Sequence, residues 1–108
     1  MEDVTLEQIE QLSGSVLLEF GAEWCGYCRA AQPLIQSALA EHRDVRHIKI
    51  EDGKGKRLGR QFGVKLWPSL IFVKNGKEIG RLVRPHDTEA IMQLLAKLNS
   101  PQAETDRQ

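Results

Sequence analysis

The chain has 108 residues, with 41% hydrophobic and 28% charged residues and a formal net charge of zero. That length supports one domain with a real core, and the neutral balance argues against general nucleic-acid binding, which needs a basic excess. Apolar runs reach only about five residues, far short of a membrane span of about 20, and the acidic start Met1-Glu2-Asp3-Val4-Thr5 lacks the apolar core of a secretory signal, so a cytoplasmic protein is expected.

In chain order, Thr5 is placed to cap a first helix, with Gln8 completing a capping box and Leu6, Ile9 and Leu12 forming its apolar face up to Gly14. Ser15–Phe20 reads as a buried strand. Residues 25–42 read as a helix with Leu34, Ile35, Ala38 and Leu39 at core spacing, bent where Pro33 removes a backbone hydrogen bond. Residues 45–50 alternate as a strand, and 54–62 form a short basic helix. The glycine-rich stretch 53–59 reads as a surface turn, because its spacing fits no nucleotide-binding fingerprint. A buried strand at 69–73 leads into Asn75-Gly76, a strong hairpin signal, and then into a strand at about residues 78–83. Asp87 or Thr88 can cap a last helix carrying Ile91, Leu94, Leu95 and Leu98. Residues 1–99 are expected to form one domain, and the polar stretch 100–108 to fray.

The two cysteines lie in Glu23-Trp24-Cys25-Gly26-Tyr27-Cys28, between a strand and a helix. The free N–H groups and dipole of a helix N-terminus stabilise an anion, so Cys25 is expected to react as the exposed thiolate. Cys28 is one turn on, where the two sulfurs can close a disulfide. One thiol attacks and the other resolves. Zinc binding is the competing reading of Cys-x-x-Cys. A structural zinc site needs four ligands, and only His42, His47 and His86 remain, without ligand-like spacing, so no metal is expected.

Ala22-Glu23-Trp24-Cys25-Gly26-Tyr27-Cys28 resembles the active-site segment of the thioredoxin family, with Tyr27 where thioredoxin itself has proline. Pro33 resembles the family's kinking proline, Trp67-Pro68-Ser69 its cis-proline segment, and Asn75-Gly76-Lys77 the hairpin after it. The resemblance covers roughly residues 5–98. It implies an α/β thioredoxin-like fold: a mixed sheet of four main strands with helices on both faces. The family's first edge strand is expected to be short or missing, since only residues 3–5 could supply it.

The resemblance also implies function. It points to a thiol–disulfide oxidoreductase acting on protein disulfides, as a monomeric reductant. Re-reduction is by an external reductase or other thiol donor, and no bound cofactor is required. A thioredoxin-like binding or chaperone module for a dedicated partner is the alternative.

Glu19 stands where the family has a buried aspartate under the resolving cysteine. Burial is expected to raise its pKa and let it accept the Cys28 proton. His47 replaces a family lysine near that carboxylate, with an ordinary half-buried strand histidine as the equal alternative. Trp24, Tyr27, Trp67, Pro68 and Arg84 are implied to bind substrate, although Trp67 could equally be a core residue beneath its loop. Arg84-Pro85 replaces a glycine-containing turn, and Arg29 and Lys65 are further basic residues implied near the dithiol.

Overall fold

The computed structural model describes residues 1–99; the polar stretch 100–108 lies outside the described residues. The elements run α1 (Leu6–Glu10), β1 (Ser15–Gly21), α2 (Gly26–Leu39), β2 (Arg46–Glu51), α3 (Arg57–Gln61), β3 (Ser69–Lys74), β4 (Lys77–Val83) and α4 (Thr88–Leu98). The order is the one read from the sequence. α1, α2 and α3 are shorter than their sequence patterns; Leu12 packs into the core just past α1, its N–H donating to the Ile9 carbonyl at 3.1 Å.

The sheet order is β2-β1-β3-β4. β1 pairs parallel to β2 and antiparallel to β3, and β4 closes the other edge against β3. The segment before α1 forms no strand, although Glu2 N–H donates to the Lys49 carbonyl at 2.8 Å. The family's extra edge strand is therefore missing.

Every residue of β1 is buried because helices cover both sides of it. Strand alternation divides it. Leu17 meets Ala31, Ile35 and Ala38 of α2 and Ile91, Leu95 and Leu98 of α4. Val16, Leu18 and Phe20 meet Ile9 of α1 and Leu58 of α3 across the other face. Glu19 shares the Leu17 face, so a carboxylate is carried into the layer under α2.

Local chemistry fixes the ends of the elements. Thr5 Oγ1 accepts from Gln8 N–H at 3.1 Å, and Gln8 Oε1 accepts from Thr5 N–H at 2.9 Å, which is the expected capping box. Asp87 caps α4 through Ala90 N–H at 2.9 Å. The Asn75-Gly76 hairpin has φ of 49° and 81°, the left-handed pair a two-residue turn needs. Gly76 is doubly constrained, since a Cβ there would collide with the Glu10 carbonyl.

Candidate active site

α2 begins one residue later than its pattern suggests, and the difference matters chemically. Cys25 is the N-cap, not the first helical residue: its Sγ accepts the Cys28 N–H at 3.2 Å. Sulfur here takes the place of the oxygen that usually satisfies the free N–H groups of a helix start. The cap puts the Cys25 sulfur directly on the positive end of α2.

Both thiols are free, and both residues are 6% exposed. The expectation of an exposed Cys25 over a buried Cys28 is therefore corrected. Trp67 packs against the cluster formed by Ala22, Cys25 and Cys28. Their surroundings differ instead. Burial pushes the Cys28 thiol up to about 11, helped by its hydrogen bond to Cys25 and by the charges of Cys25 and Glu19, against an opposing hydrogen bond from the Ala22 backbone. Gly21 makes room for that sulfur: a Cβ there would lie 2.6 Å from Cys28 Sγ.

Glu19 is buried and fully partnered. Its Oε1 is 2.7 Å from His47 Nε2, and its Oε2 accepts from Gln32 Nε2 at 2.6 Å. The same Gln32 amide donates to the Cys28 carbonyl at 3.0 Å, linking the carboxylate to Cys28 through one side chain. The β1–β2 register sets His47 beside Leu17 and Lys49 beside Glu19, on the α2 face. Burial pushes the Glu19 carboxyl up, but the His47 and Gln32 hydrogen bonds and the His47 and Lys49 charges hold it below its ordinary value. The expected rise is thus reversed, because the carboxylate exchanges water for two strong donors.

On the outer side the Trp67–Pro68 peptide is cis. The Trp67 indole N–H donates to Asp52 Oδ2 at 2.9 Å, and its ring meets the Trp24 ring edge-on, with centroids 5.3 Å apart. Trp67 is therefore neither a plain core residue nor a free anchor: one edge is pinned, and the rest borders the dithiol. Trp24 and Tyr27 are 72% and 60% exposed. Arg84 sits across the rim, its guanidinium carbon 3.8 Å from the Tyr27 ring centroid and its Nε donating to the Trp67 carbonyl at 2.7 Å.

Of the other basic residues, Arg29 borders the cleft with Glu19 and Cys28, whereas Lys65 is exposed and lies outside the lining of that cleft. The histidines do not converge. His47 is held by Glu19, His42 Nδ1 lies 3.1 Å from Asn99 Nδ2, and His86 is exposed. Among the described residues no group of three or more His, Cys, Asp or Glu side chains could hold a metal ion.

A family model described as Thioredoxin matches residues 3–97. The chain belongs to the thioredoxin family. It is 39% identical over 85 residues to a thioredoxin of Chlamydia muridarum, an overlap of 79% of this chain and 83% of that protein. It is 31% identical over 104 residues to thioredoxin H5 of Oryza sativa, covering 96% of this chain and 76% of the relative. Thioredoxin 2 from Pseudomonas aeruginosa in its reduced form shares the fold with a TM-score of 0.81 and 42% identity, over 90% of each chain. The protein is a thiol–disulfide oxidoreductase. These findings do not favour the binding-module alternative.

Three contributors escaped the sequence reading: Gln32, Asp52 and Gly21. Gln32 could have been found as the polar residue one turn after Cys28 on a helix facing Glu19. Nothing local marks Asp52 or Gly21, whose roles depend on Trp67 and on the Cys28 sulfur beyond the next turn of chain.

Proposed function

We propose that residues 1–99 act as a single-domain, monomeric cytoplasmic reductant of protein disulfides, re-reduced by an external reductase or other dithiol donor. The observation that carries this reading is the Cys25 sulfur capping α2 with the Cys28 thiol one turn behind it. The Cys25 thiolate attacks a substrate disulfide. A Cys25–substrate disulfide forms, and the other substrate sulfur leaves as a thiolate. Cys28 then loses its proton and attacks the Cys25 sulfur, closing the protein's own disulfide and releasing the second substrate sulfur. Two electrons pass to the substrate, and the donor returns them. The sulfurs carry these electrons, so no bound cofactor is needed.

The proton from Cys28 goes to the Glu19–His47 pair. A thiol at about 11 beside a carboxylate held low is a poor donor–acceptor match in the reduced protein. Two of the causes that raise Cys28 come from Cys25, and both vanish once Cys25 is bound to substrate sulfur. Burial, the largest cause, remains, so the resolving thiol is held up less strongly at the step that needs its proton released. Glu19 is the acceptor, and His47, hydrogen-bonded to it and partly open to solvent, links that carboxylate to the surface. Trp24, Tyr27, Trp67, Pro68 and Arg84 form the surface that meets the substrate; Trp24 and Tyr27 give it exposed aromatic area. The neutral net charge supports action without nucleic acid. No helix among the described residues is long and apolar enough to cross a membrane, which fits action away from membranes.

Insulin reduction with dithiothreitol as donor tests the activity, with precipitation of the freed B chain as the readout. Catalysis that is lost in Cys25→Ser is expected. Uncatalysed background from the intact protein would contradict the reading.

A further inference from the structure

Arg84 is held at the rim more firmly than packing requires. Its φ is 52°, in the left-handed region that glycine enters freely and arginine does not. Its N–H donates to the Pro68 carbonyl at 3.0 Å and its Nε to the Trp67 carbonyl at 2.7 Å. The guanidinium lies over the Tyr27 ring. These contacts come from the cis-proline segment and from the first turn of α2, so they fix the guanidinium between the two sides of the dithiol.

Beyond the Tyr27 ring, the charge has no anionic partner among the described residues. The ion pairs of the described residues join Arg46 to Glu2, His47 to Glu19 and Arg81 to Glu78, and none reaches Arg84. The terminal guanidinium N–H groups have no acceptor among the described residues. The depression beside them is lined by Tyr27, Ala30, Leu34, Pro85 and His86, with no carboxylate. A planar cation backed by an aromatic ring, with its terminal donors free, matches the two oxygens of a carboxylate.

We propose that Arg84 is a carboxylate receptor, selecting substrate disulfides that carry an acidic side chain within a residue or two of the cysteine attacked by Cys25. This rests on the oxidoreductase reading and deepens it. Tyr27, under the guanidinium, is two residues from Cys25, so a carboxylate docked there belongs to the same stretch of substrate that meets the nucleophile. A lysine at that place meets like charge instead.

The test uses matched disulfide peptides with Glu, Gln or Lys next to the cysteine and dithiothreitol as electron donor. Each kcat/KM is divided by the rate of dithiothreitol alone on that peptide, which removes the intrinsic effect of a neighbouring charge on the disulfide. The intact protein is expected to prefer Glu over Gln by about fivefold and to disfavour Lys, with the preference shrinking in about 0.5 M salt. In Arg84→Gln the Glu/Gln ratio is expected to fall to near one, with Arg84→Lys keeping part of it. Equal rates for the three peptides, a preference indifferent to salt, or a preference surviving in Arg84→Gln would overturn the receptor while the dithiol assignment stands. Reduction of none of the peptides would overturn both. The salt series on the intact protein decides the matter even if Arg84→Gln fails to fold.

Discussion

Trp24 and Tyr27, on the outer flank of the dithiol, stand in solvent, whereas Glu19, on its inner flank, is 4% exposed and fully hydrogen-bonded. The outer flank is aromatic and cationic. The inner flank is a closed polar chain running from Cys28 through Gln32 to Glu19 and His47. The cysteines between them are equally buried, so exposure does not distinguish the attacking thiol from the resolving one. In the proposed mechanism the two environments do. One presents a sulfur at a helix N-terminus to a partner, and the other holds a protonated thiol beside a proton acceptor.

The comparison breaks most visibly at the sulfurs. Cys25→Ser is expected to lower disulfide reduction by at least about a thousandfold, since the nucleophile is gone. Cys28→Ser is expected to attack normally and then stall as a covalent complex through Cys25, detectable by non-reducing electrophoresis and peptide mapping. A complex formed through Cys28 in the Cys25→Ser protein would reverse the assigned roles.

Gly21→Ala presses on the inner flank alone. The new methyl must displace the Cys28 sulfur, a core overpacking that costs about 1–3 kcal/mol in a denaturant melt of the reduced protein. Unchanged stability would show that the sulfur has room to move.

Cys28 and Glu19 each add a smaller, pH-linked effect. The folded value of Cys28, about 11, lies above the ~8.5 of an ordinary thiol. The unfolded chain therefore loses that proton first, and the reduced fold is expected to lose stability as pH rises through this interval. Cys28→Ser should lack this alkaline loss in parallel melts. Glu19 is shifted the other way. Its contribution is present above the ordinary carboxyl value of about 4.3 and is lost as pH falls through its lower folded value. Glu19→Gln should flatten that acid limb, and an unaltered limb would mean that the carboxylate is not held by its partners.

Much of this division was legible in the sequence, for local reasons. Strand, cysteine and helix follow one another in the chain, so the cap at Cys25 is a matter of neighbouring residues. The Thr5–Gln8 box and the Asn75-Gly76 turn are equally local. Glu19 betrayed itself as a charge inside an apolar strand. The sign of its shift did not, because it depends on Gln32 and His47, delivered by a helix and by a parallel strand in one particular register. The pinning of Trp67 by Asp52 and the placement of Arg84 over Tyr27 are likewise products of distant elements meeting. The equal burial of the two cysteines was missed because Trp67, some forty residues away in sequence, packs against them.

The central claim is that the inner flank serves resolution and the outer flank serves attack. Single-turnover stopped-flow kinetics, following tryptophan fluorescence and free thiol together, separates the two steps with a Glu-flanked disulfide peptide. Glu19→Gln is expected to slow resolution by about a hundredfold, the usual scale of a lost general base, with attack little changed. Arg84→Gln is expected to slow attack by about fivefold and leave the later step alone. If both variants slow the same step, the division of labour between the two flanks is wrong.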